Sequence, residues 1–146
     1  MPIATTRISD FNEIQVSFGG HPISGFVDGE AITITHEADA ISSTVGATGD
    51  VARWKTNDFR VSIEVRLMQT SPSNTALSAI YLADLNAPGG AGVAAFLLTD
   101  LNGTTLITCP NCWIKRMPDA SWGTEPTERV WMFEGSQIIE FHGGSI

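Results

Sequence analysis

Apolar and polar residues alternate most regularly between residues 58 and 67. Because successive side chains of a β-strand point to opposite faces, this alternation predicts a strand with one face in the core and the other in water or in an interface. The same pattern over residues 10–18, ended by the turn signal Gly19-Gly20, predicts an earlier strand. The apolar positions of the stronger pattern are Phe59, Val61, Ile63, Val65 and Leu67.

Turn signals predict how further strands are connected. Extended runs on both sides of Asp28-Gly29 predict a β-hairpin over residues 21–36, because Asp-Gly strongly favours a tight hairpin turn. Asn102-Gly103 predicts a second hairpin between two apolar, β-branched runs over residues 93–108. Residues 112–117 and 128–141 predict two further strands, separated by a loop at 118–126.

One helix is predicted, over residues 72–86. Ser71-Pro72 supplies an N-cap followed by a proline at the first helical position. Apolar residues then recur at steps of three and four until Asn86 and the Ala-Pro-Gly-Gly that follows it. The chain therefore holds about seven or eight strands and a single helix.

Residues 37–57 contain β-prone residues but few large apolar side chains for a core. A long segment that packs poorly against its own domain is uncommon unless it is functional or is ordered by another chain. We therefore predict an extended hairpin arm that reaches a neighbouring chain. Trp54, between Arg53 and Lys55, has the composition of an interface anchor, although it could instead fold back on its own sheet.

Composition and length favour one mainly β domain over residues 1–146. The 14 glycines and 7 prolines are consistent with many turns and short strands. No apolar run approaches the roughly 20 residues that span a bilayer, and the first residues lack the apolar core of a signal peptide. We expect a protein made in the cytoplasm, without membrane insertion.

The chain is acidic, with a net charge of −8. Its first 50 residues hold seven carboxylates and only one cation, Arg7. Tight binding of DNA or RNA depends on neutralising phosphates, so this excess argues against a firmly held nucleic acid.

No residue pattern indicates catalysis, and we expect neither enzyme activity nor a cofactor. The serines lack a G-x-S-x-G turn, and the glycine runs lack the spacing of nucleotide-binding loops. The pairs Asp28/Glu30 and Glu37/Asp39 have strand spacing, which suits acid–base or calcium chemistry but is more typical of a solvated face.

Cys109 and Cys112 form a C-x-x-C, which could be half a zinc site or a redox pair. The three histidines are scattered, and a redox pair usually opens a helix, whereas Cys109 ends a predicted strand. We interpret both as reduced structural thiols. Trp113, Trp122 and Trp131 are predicted to lie in core or subunit contacts, because the negative charge opposes stacking on nucleic-acid bases.

The order of these elements resembles the tail tube proteins of contractile-tailed bacteriophages, which are related in fold to the tubes of pyocins and type VI secretion systems. The most specific stretches are residues 43–53, residues 55–58 and residues 67–74, which open the helix. The 118–126 loop and the C-x-x-C are not part of the resemblance.

The resemblance implies a small β-barrel or sandwich of two packed antiparallel sheets, with the helix flanking it. It also implies rings of six subunits, stacked into a hollow tube in the virion after assembly in the host bacterial cytoplasm, through which DNA is ejected. The implied partners are further copies of the chain, the tail sheath outside, the tape-measure protein and then genomic DNA inside, and baseplate and terminator proteins at the ends.

The residues themselves agree with such an assembly, because an open head-to-tail interface builds filaments and an acidic lumen would keep DNA from adhering. The alternative is a β-sandwich that binds a glycan or coat protein through exposed tryptophans. The candidates for the lumen are Asp28, Glu30, Glu37 and Asp39. The candidates for the subunit interface are Thr44, Val45, Asp50, Arg53, Trp54, Lys55 and Asp58.

Overall fold

A computed structural model describes residues 4–145 as a β protein with one α-helix. A short 3-10 turn, Phe11–Glu13, precedes the first strand and is capped by the Asp10 carboxylate, which accepts from the Asn12 N–H at 3.0 Å. The strands are β1 (Ile14–Phe18), β2 (His21–Pro22), β3 (Ile32–His36), β4 (Ile41–Val45), β5 (Val51–Lys55), β6 (Val61–Met68), β7 (Ala94–Asp100), β8 (Leu106–Arg116), β9 (Glu128–Gly135) and β10 (Ile139–Phe141), and the helix α1 is Ser73–Asn86.

The strands form two antiparallel sheets. The larger sheet has the order β2-β1-β7-β8-β9-β6-β3. Strand β10 also pairs with β8, next to the segment of β8 that pairs with β9. The smaller sheet is the β4-β5 arm. The predicted mainly β fold, with antiparallel sheets, one flanking helix and an extended hairpin arm, is confirmed. The second sheet is the arm itself, and its exposed strands do not pack against the first sheet as the predicted sandwich would. Within residues 4–145 no strand ladder joins β2 to β3, so the large sheet is not a closed barrel.

The large sheet curls strongly around its core. Phe18 on β1 and Phe133 on β9 are three strand positions apart, a separation of roughly 14 Å in a flat sheet. Their ring centroids are nevertheless only 5.0 Å apart, in an edge-to-face contact. The sheet therefore wraps its concave face around the aromatic side chains. On the side of the sheet where no backbone hydrogen bonds join its two edges, Phe11 contacts Phe26.

Every second residue of each long strand faces the concave side of the sheet. The predicted alternation is confirmed within β6, because Val61, Ile63, Val65 and Leu67 are all fully buried. Phe59, the first apolar position of the predicted pattern, precedes β6 and is 40% exposed, so its predicted place in the core is wrong. The core face of β9 consists of residues 129, 131, 133 and 135, so Phe133 is buried, whereas Val130 and Met132 point to the convex face. Strict pairing with β6 decides this register, since a shift by one residue would invert every side chain.

The predicted hairpin over residues 21–36 is wrong. Phe26 pairs with Leu67, and β3 pairs with Val61–Val65, so both halves of the expected hairpin lie along the same edge of β6. Between them the chain loops out at Asp28-Gly29 and returns, with Val27 N–H donating to Arg66 O and Arg66 N–H donating to Ala31 O. The Asp-Gly signal marked a real turn, but a turn that interrupts one strand rather than joining two.

Helix α1 packs by its first turns against one end of the sheet. It begins one residue after the predicted start, and the Ser71 hydroxyl accepts from the Ser73 N–H at 3.2 Å. Leu77 is buried in the core, while the indole Nε1–H of Trp131 donates to Asn74 Oδ1 at 2.9 Å. These contacts tie the helix to β9.

The two cysteines are free and fully buried. Burial raises the pKa of both thiols, so neither is a ready nucleophile or metal ligand. The structure thus supports the structural interpretation of the C-x-x-C. Cys109 lies directly over Gly135, where a β-carbon would overlap its sulfur.

Gly135→Ala is expected to destabilise the fold by about 1–3 kcal/mol, because the added methyl group overpacks the core against the Cys109 sulfur. Cys109→Ala should remove that clash. A double-mutant cycle measured by urea unfolding should therefore show that Gly135→Ala costs much less in the Cys109→Ala background. Equal costs in both backgrounds would contradict the packing argument.

Candidate subunit interface

The arm is a two-stranded ribbon in which β4 and β5 pair from Ile41 opposite Lys55 to Val45 opposite Val51. Its tip closes through the Gly46 N–H, which donates to Asp50 O at 2.7 Å, and through the Thr48 hydroxyl, which donates to the Asp50 carboxylate at 3.3 Å. Gly49 adopts a φ of 90° in this turn, a conformation that favours glycine.

The arm has two chemically different faces. Residues that pair directly across a ladder share a face, so Arg53 and Lys55 lie on one side and Trp54 on the other. The basic side also carries three aliphatic residues, and the Trp54 side carries Ala52 and two small hydroxyl residues. The sequence prediction grouped these three residues as one contact, whereas the structure distributes them over both faces. The aliphatic members of the basic face are Ile41, Val45 and Val51.

Both faces of the arm are exposed. Val45 is 67% exposed, Val51 71% and Trp54 51%, and all five residues of β5 are exposed. A two-stranded ribbon with neither face covered is marginally stable in water. With two cations and one carboxylate, residues 41–55 carry a net charge of +1, so the rest of the chain carries −9. The arm is therefore apolar and basic on an acidic protein.

A local ion pair lies at the base of the arm. The Arg60 guanidinium donates to both carboxylate oxygens of Asp58, at 2.9 and 3.0 Å. These bonds, together with the Arg60 backbone N–H, hold the pKa of the Asp58 carboxyl below its usual range. Of the predicted interface residues Asp58 alone lies outside the arm, and its carboxylate is already paired within the chain.

The four lumen candidates lie along one edge of the large sheet. Asp28 and Glu30 are in the loop that interrupts the edge of β6, and Glu37 and Asp39 follow β3 on the way to the arm. The spacing within each pair suggested two neighbours on one face of a strand, but neither pair lies within a strand. The Ser62 hydroxyl donates to the Glu37 carboxylate at 2.5 Å, which connects Glu37 to the convex face of the sheet.

The convex face of the large sheet has an acidic half and an apolar half. On β6 and β9 it presents three carboxylates and one hydroxyl beside three apolar side chains, with Arg66 as the cation, bonded to Glu64 at 3.2 Å. On β7, β8 and β10 it presents exposed apolar side chains that the register places on one face. The acidic half includes Ser62, Glu64, Glu128 and Glu134, and the apolar half includes Leu97, Leu106, Ile139 and Phe141.

A carboxylate between two histidines joins β3 to β10. Glu140 hydrogen-bonds with the Nε2 of His36 at the end of β3, and with the Nε2 of His142 at 2.9 Å. Burial alone would raise the pKa of the Glu140 carboxyl, but the bonds to His36 and His142 outweigh it, and the pKa lies below its usual range. This cluster connects two strands that share no backbone ladder.

The Glu140 cluster predicts a pH-dependent contribution to stability. Since the folded-state pKa is lowered, the contribution is present above the ordinary carboxyl pKa of about 4.3 and is lost as the pH falls through the lowered value. Wild type should therefore unfold at a higher temperature than Glu140→Gln at pH 7, and the gap should close in acid. The exposed substitution Glu13→Gln should show no such gap, and a gap that persists at pH 2 would contradict the assignment.

An aromatic pocket lies at the end of the sheet where α1 begins. It encloses about 480 Å³ between the helix and the 118–126 loop. Arg129 is only 8% exposed at its wall, and Trp122, 75% exposed, lies over the guanidinium at 5.0 Å. No sequence prediction covered this site, although a cation at Arg129, which alternates along the strand with Trp131 and Phe133, was a usable signal. Its lining includes Gln69, Asn74, Ser78, Met117, Ala120 and Trp131.

Within residues 4–145, no three His, Cys, Asp or Glu side chains are grouped so as to hold a metal ion. The part of the chain that the structure describes also has no helix of the length and apolarity needed to cross a membrane.

An arm with two uncovered faces, an apolar convex patch and open sheet edges are typical of a subunit of a larger protein assembly. The family comparison agrees with that class. The sequence model of the bacteriophage PhiTE tail tube protein family matches residues 12–143, and the chain belongs to this family. It is accordingly a phage structural protein and a component of the virion.

Individual relatives are distant. The structural protein ORF10 of Pseudomonas phage KPP10 is 24% identical over 125 residues, which are 86% of this chain and 72% of that protein. Two solved structures share the fold. The sheath/tube terminator of an extracellular contractile injection system, PVC, in its extended state aligns with a TM-score of 0.66 at 13% identity, over 95% of this chain and all of that one. The tube-terminating cap of the anti-feeding prophage aligns with a TM-score of 0.63 at 10% identity, over 97% and 95%.

Proposed function

We propose that this chain is the tail tube subunit of a contractile-tailed phage, which forms rings that stack into a hollow tube. The observation that carries the proposal is the arm, whose two exposed faces need cover from other chains. Its net charge of +1 against −9 for the rest of the chain favours contact with the acidic surface of another copy. The apolar half of the convex face supplies a second self-association surface.

In this proposal the acidic half of the convex face and the adjoining sheet edge face the bore. Glu64, Glu128 and Glu134, with the four lumen candidates, would give the bore a negative potential. A negative wall repels phosphates, so DNA passes without being held. The ring is proposed to hold six subunits, as the resemblance to tube proteins implies.

The proposed partners follow from the position of a tube in a contractile tail. They are the sheath on the outside, the tape-measure protein and then genomic DNA in the lumen, and baseplate and terminator proteins at the ends. The role is mechanical, and the proposal includes no catalytic activity. Family membership supports a structural subunit over a glycan-binding or coat-binding module.

A second candidate function is termination of the tube. Both solved structures described above are tube terminators, and they align over nearly the whole chain. A terminator and a tube subunit with the same fold differ in whether rings of the protein stack on one another. The assembly behaviour of the pure protein separates the two.

Negative-stain electron microscopy and sedimentation of the purified chain over a range of concentrations test the proposal. Hollow tubes of variable length are the expected result. Single rings that never stack would instead favour the terminator. A monomer at every concentration would overturn both functions, because the arm would then have no partner among copies of the chain.

A further inference from the structure

Arg129 is a buried cation without a carboxylate partner in residues 4–145. Three of its N–H groups donate to neutral oxygens, at 2.7 Å to Thr127 Oγ1, 3.0 Å to Glu128 O and 3.4 Å to Ser121 O. The remaining two find no protein acceptor in the part of the chain that the structure describes, where no Arg129 nitrogen is both fully buried and without a partner. A buried guanidinium is normally paired, because removing its charge from water is costly.

The pocket around Arg129 is suited to a carboxylate. The guanidinium forms part of the wall, Trp122 and Trp131 also line it, and Gln69 and Asn74 add amide groups. A carboxylate entering this space could accept hydrogen bonds from the two free N–H groups, and such charge-assisted bonds are stronger than neutral ones. An open volume of about 480 Å³ exceeds what one carboxylate needs, so the pocket also accommodates part of a turn.

The pocket and the arm lie at opposite ends of the same strand. The arm enters β6 through Asp58, before Val61, whereas the pocket contains Gln69, just after Met68. Eight residues of strand separate these ends by about 25 Å. In a head-to-tail stack, an element at one end of a subunit meets a site at the opposite end of the next.

The arm carries one carboxylate, and it lies at the tip. Asp50 closes the turn between β4 and β5 and is exposed. Its neighbours at the tip are small, so little else there hinders entry into a pocket. They are Gly46, Ala47, Thr48 and Gly49.

We propose that the pocket between Arg129 and Trp122 receives the arm tip of a second copy of this chain, with Asp50 as the carboxylate that pairs with Arg129. This inference rests on the proposed function, because it names the contact through which successive subunits stack. It assigns a receptor role to the 118–126 loop, which covers the guanidinium from one side.

Cross-linking tests the contact. The variant Ala47→Cys/Ala120→Cys places one thiol at the arm tip and one at the pocket mouth, and Ala47→Cys/Ala83→Cys is the matched control on the exposed face of α1. After treatment of assembled protein with a short bis-maleimide, the first variant should give a ladder of linked chains and the control should not. The buried native cysteines should leave wild type unlinked.

Each outcome of the cross-linking is decisive. A ladder confined to the pocket variant supports the inference. Assemblies that form without a ladder, or with an equal ladder in the control, overturn the inference and leave the tube function standing. Protein that never self-associates overturns both.

Removal of the charge provides an independent test. Asp50→Asn should raise the concentration needed for half-maximal assembly about tenfold or more, because one charge-assisted bond is lost. Glu13→Gln removes the same charge elsewhere and should leave that concentration unchanged. In an Arg129→Lys background, Asp50→Asn should have a much smaller effect, and equal effects in both backgrounds would overturn the pairing.

Discussion

Phe133→Ala should lower the free energy of unfolding by about 3–5 kcal/mol, which would leave much of the population unfolded at moderate temperature. Phe133 is fully buried, and its ring contacts both Phe18, at 5.0 Å between centroids, and Phe96, at 5.7 Å. These contacts connect β9 to strands on the other side of the curled sheet. Truncation therefore leaves a cavity in the core on the concave face, between β9, β7 and β1. Chemical denaturation monitored by circular dichroism measures the change.

Phe141→Ala is the matched control for Phe133→Ala. Phe141 is 63% exposed on the convex face, so its truncation should change the stability of the monomer by no more than about 0.5 kcal/mol. If both substitutions destabilised the chain equally, the concave face of the sheet would not be the core.

Reversing the charge of the arm should abolish assembly while the subunit stays folded. In Arg53→Glu/Lys55→Glu the arm changes from a net charge of +1 to −3, and it would then be repelled by the acidic surface of every other copy. The arm contributes no residue to the main core, so the thermal unfolding midpoint should be close to that of wild type. Sedimentation velocity should show free subunits under conditions in which wild type assembles.

A control variant with the same change of charge outside the arm distinguishes an effect of the arm's own charge from an effect of the net charge of the chain. Arg7→Glu/Lys115→Glu alters two exposed cations outside the arm and should still assemble. Partial recovery of the arm variant at high salt would agree with screening of the repulsion. Tubes formed equally by the arm variant and wild type would contradict a role for the basic face.

Sequence patterns correctly predicted the elements that are encoded within one short segment of the chain. The helix was found within one residue because its start, its apolar spacing and its glycine-rich stop lie within one short segment. The arm was found because residues 37–57 lack apolar side chains for a core, which is a property of composition. The β7-β8 hairpin was found from its Asn-Gly turn.

Predictions failed where pairing depended on distant residues. The segments on either side of Asp28-Gly29 pair with β6, at least 25 residues later, and no turn signal predicts that pairing. In β9 the sequence contains apolar residues on both faces, so its register was settled by the partner strand. The pocket was missed for the same reason, because Arg129, Trp122 and Asn74 come together only through the packing of a loop, a strand and a helix.

The sequence by itself determined a mainly β chain with one helix, an arm that its own core cannot cover, and an acidic net charge. These are properties of composition and short-range periodicity, which can be determined without knowing which residues contact each other in the folded chain. The tertiary structure alone decided the curl of the sheet, the pairing of both segments around Asp28-Gly29 with β6, and the division of the convex face into acidic and apolar halves. Each of these depends on strand register, which is set by long-range pairing because one residue of slip would exchange the two faces of every strand.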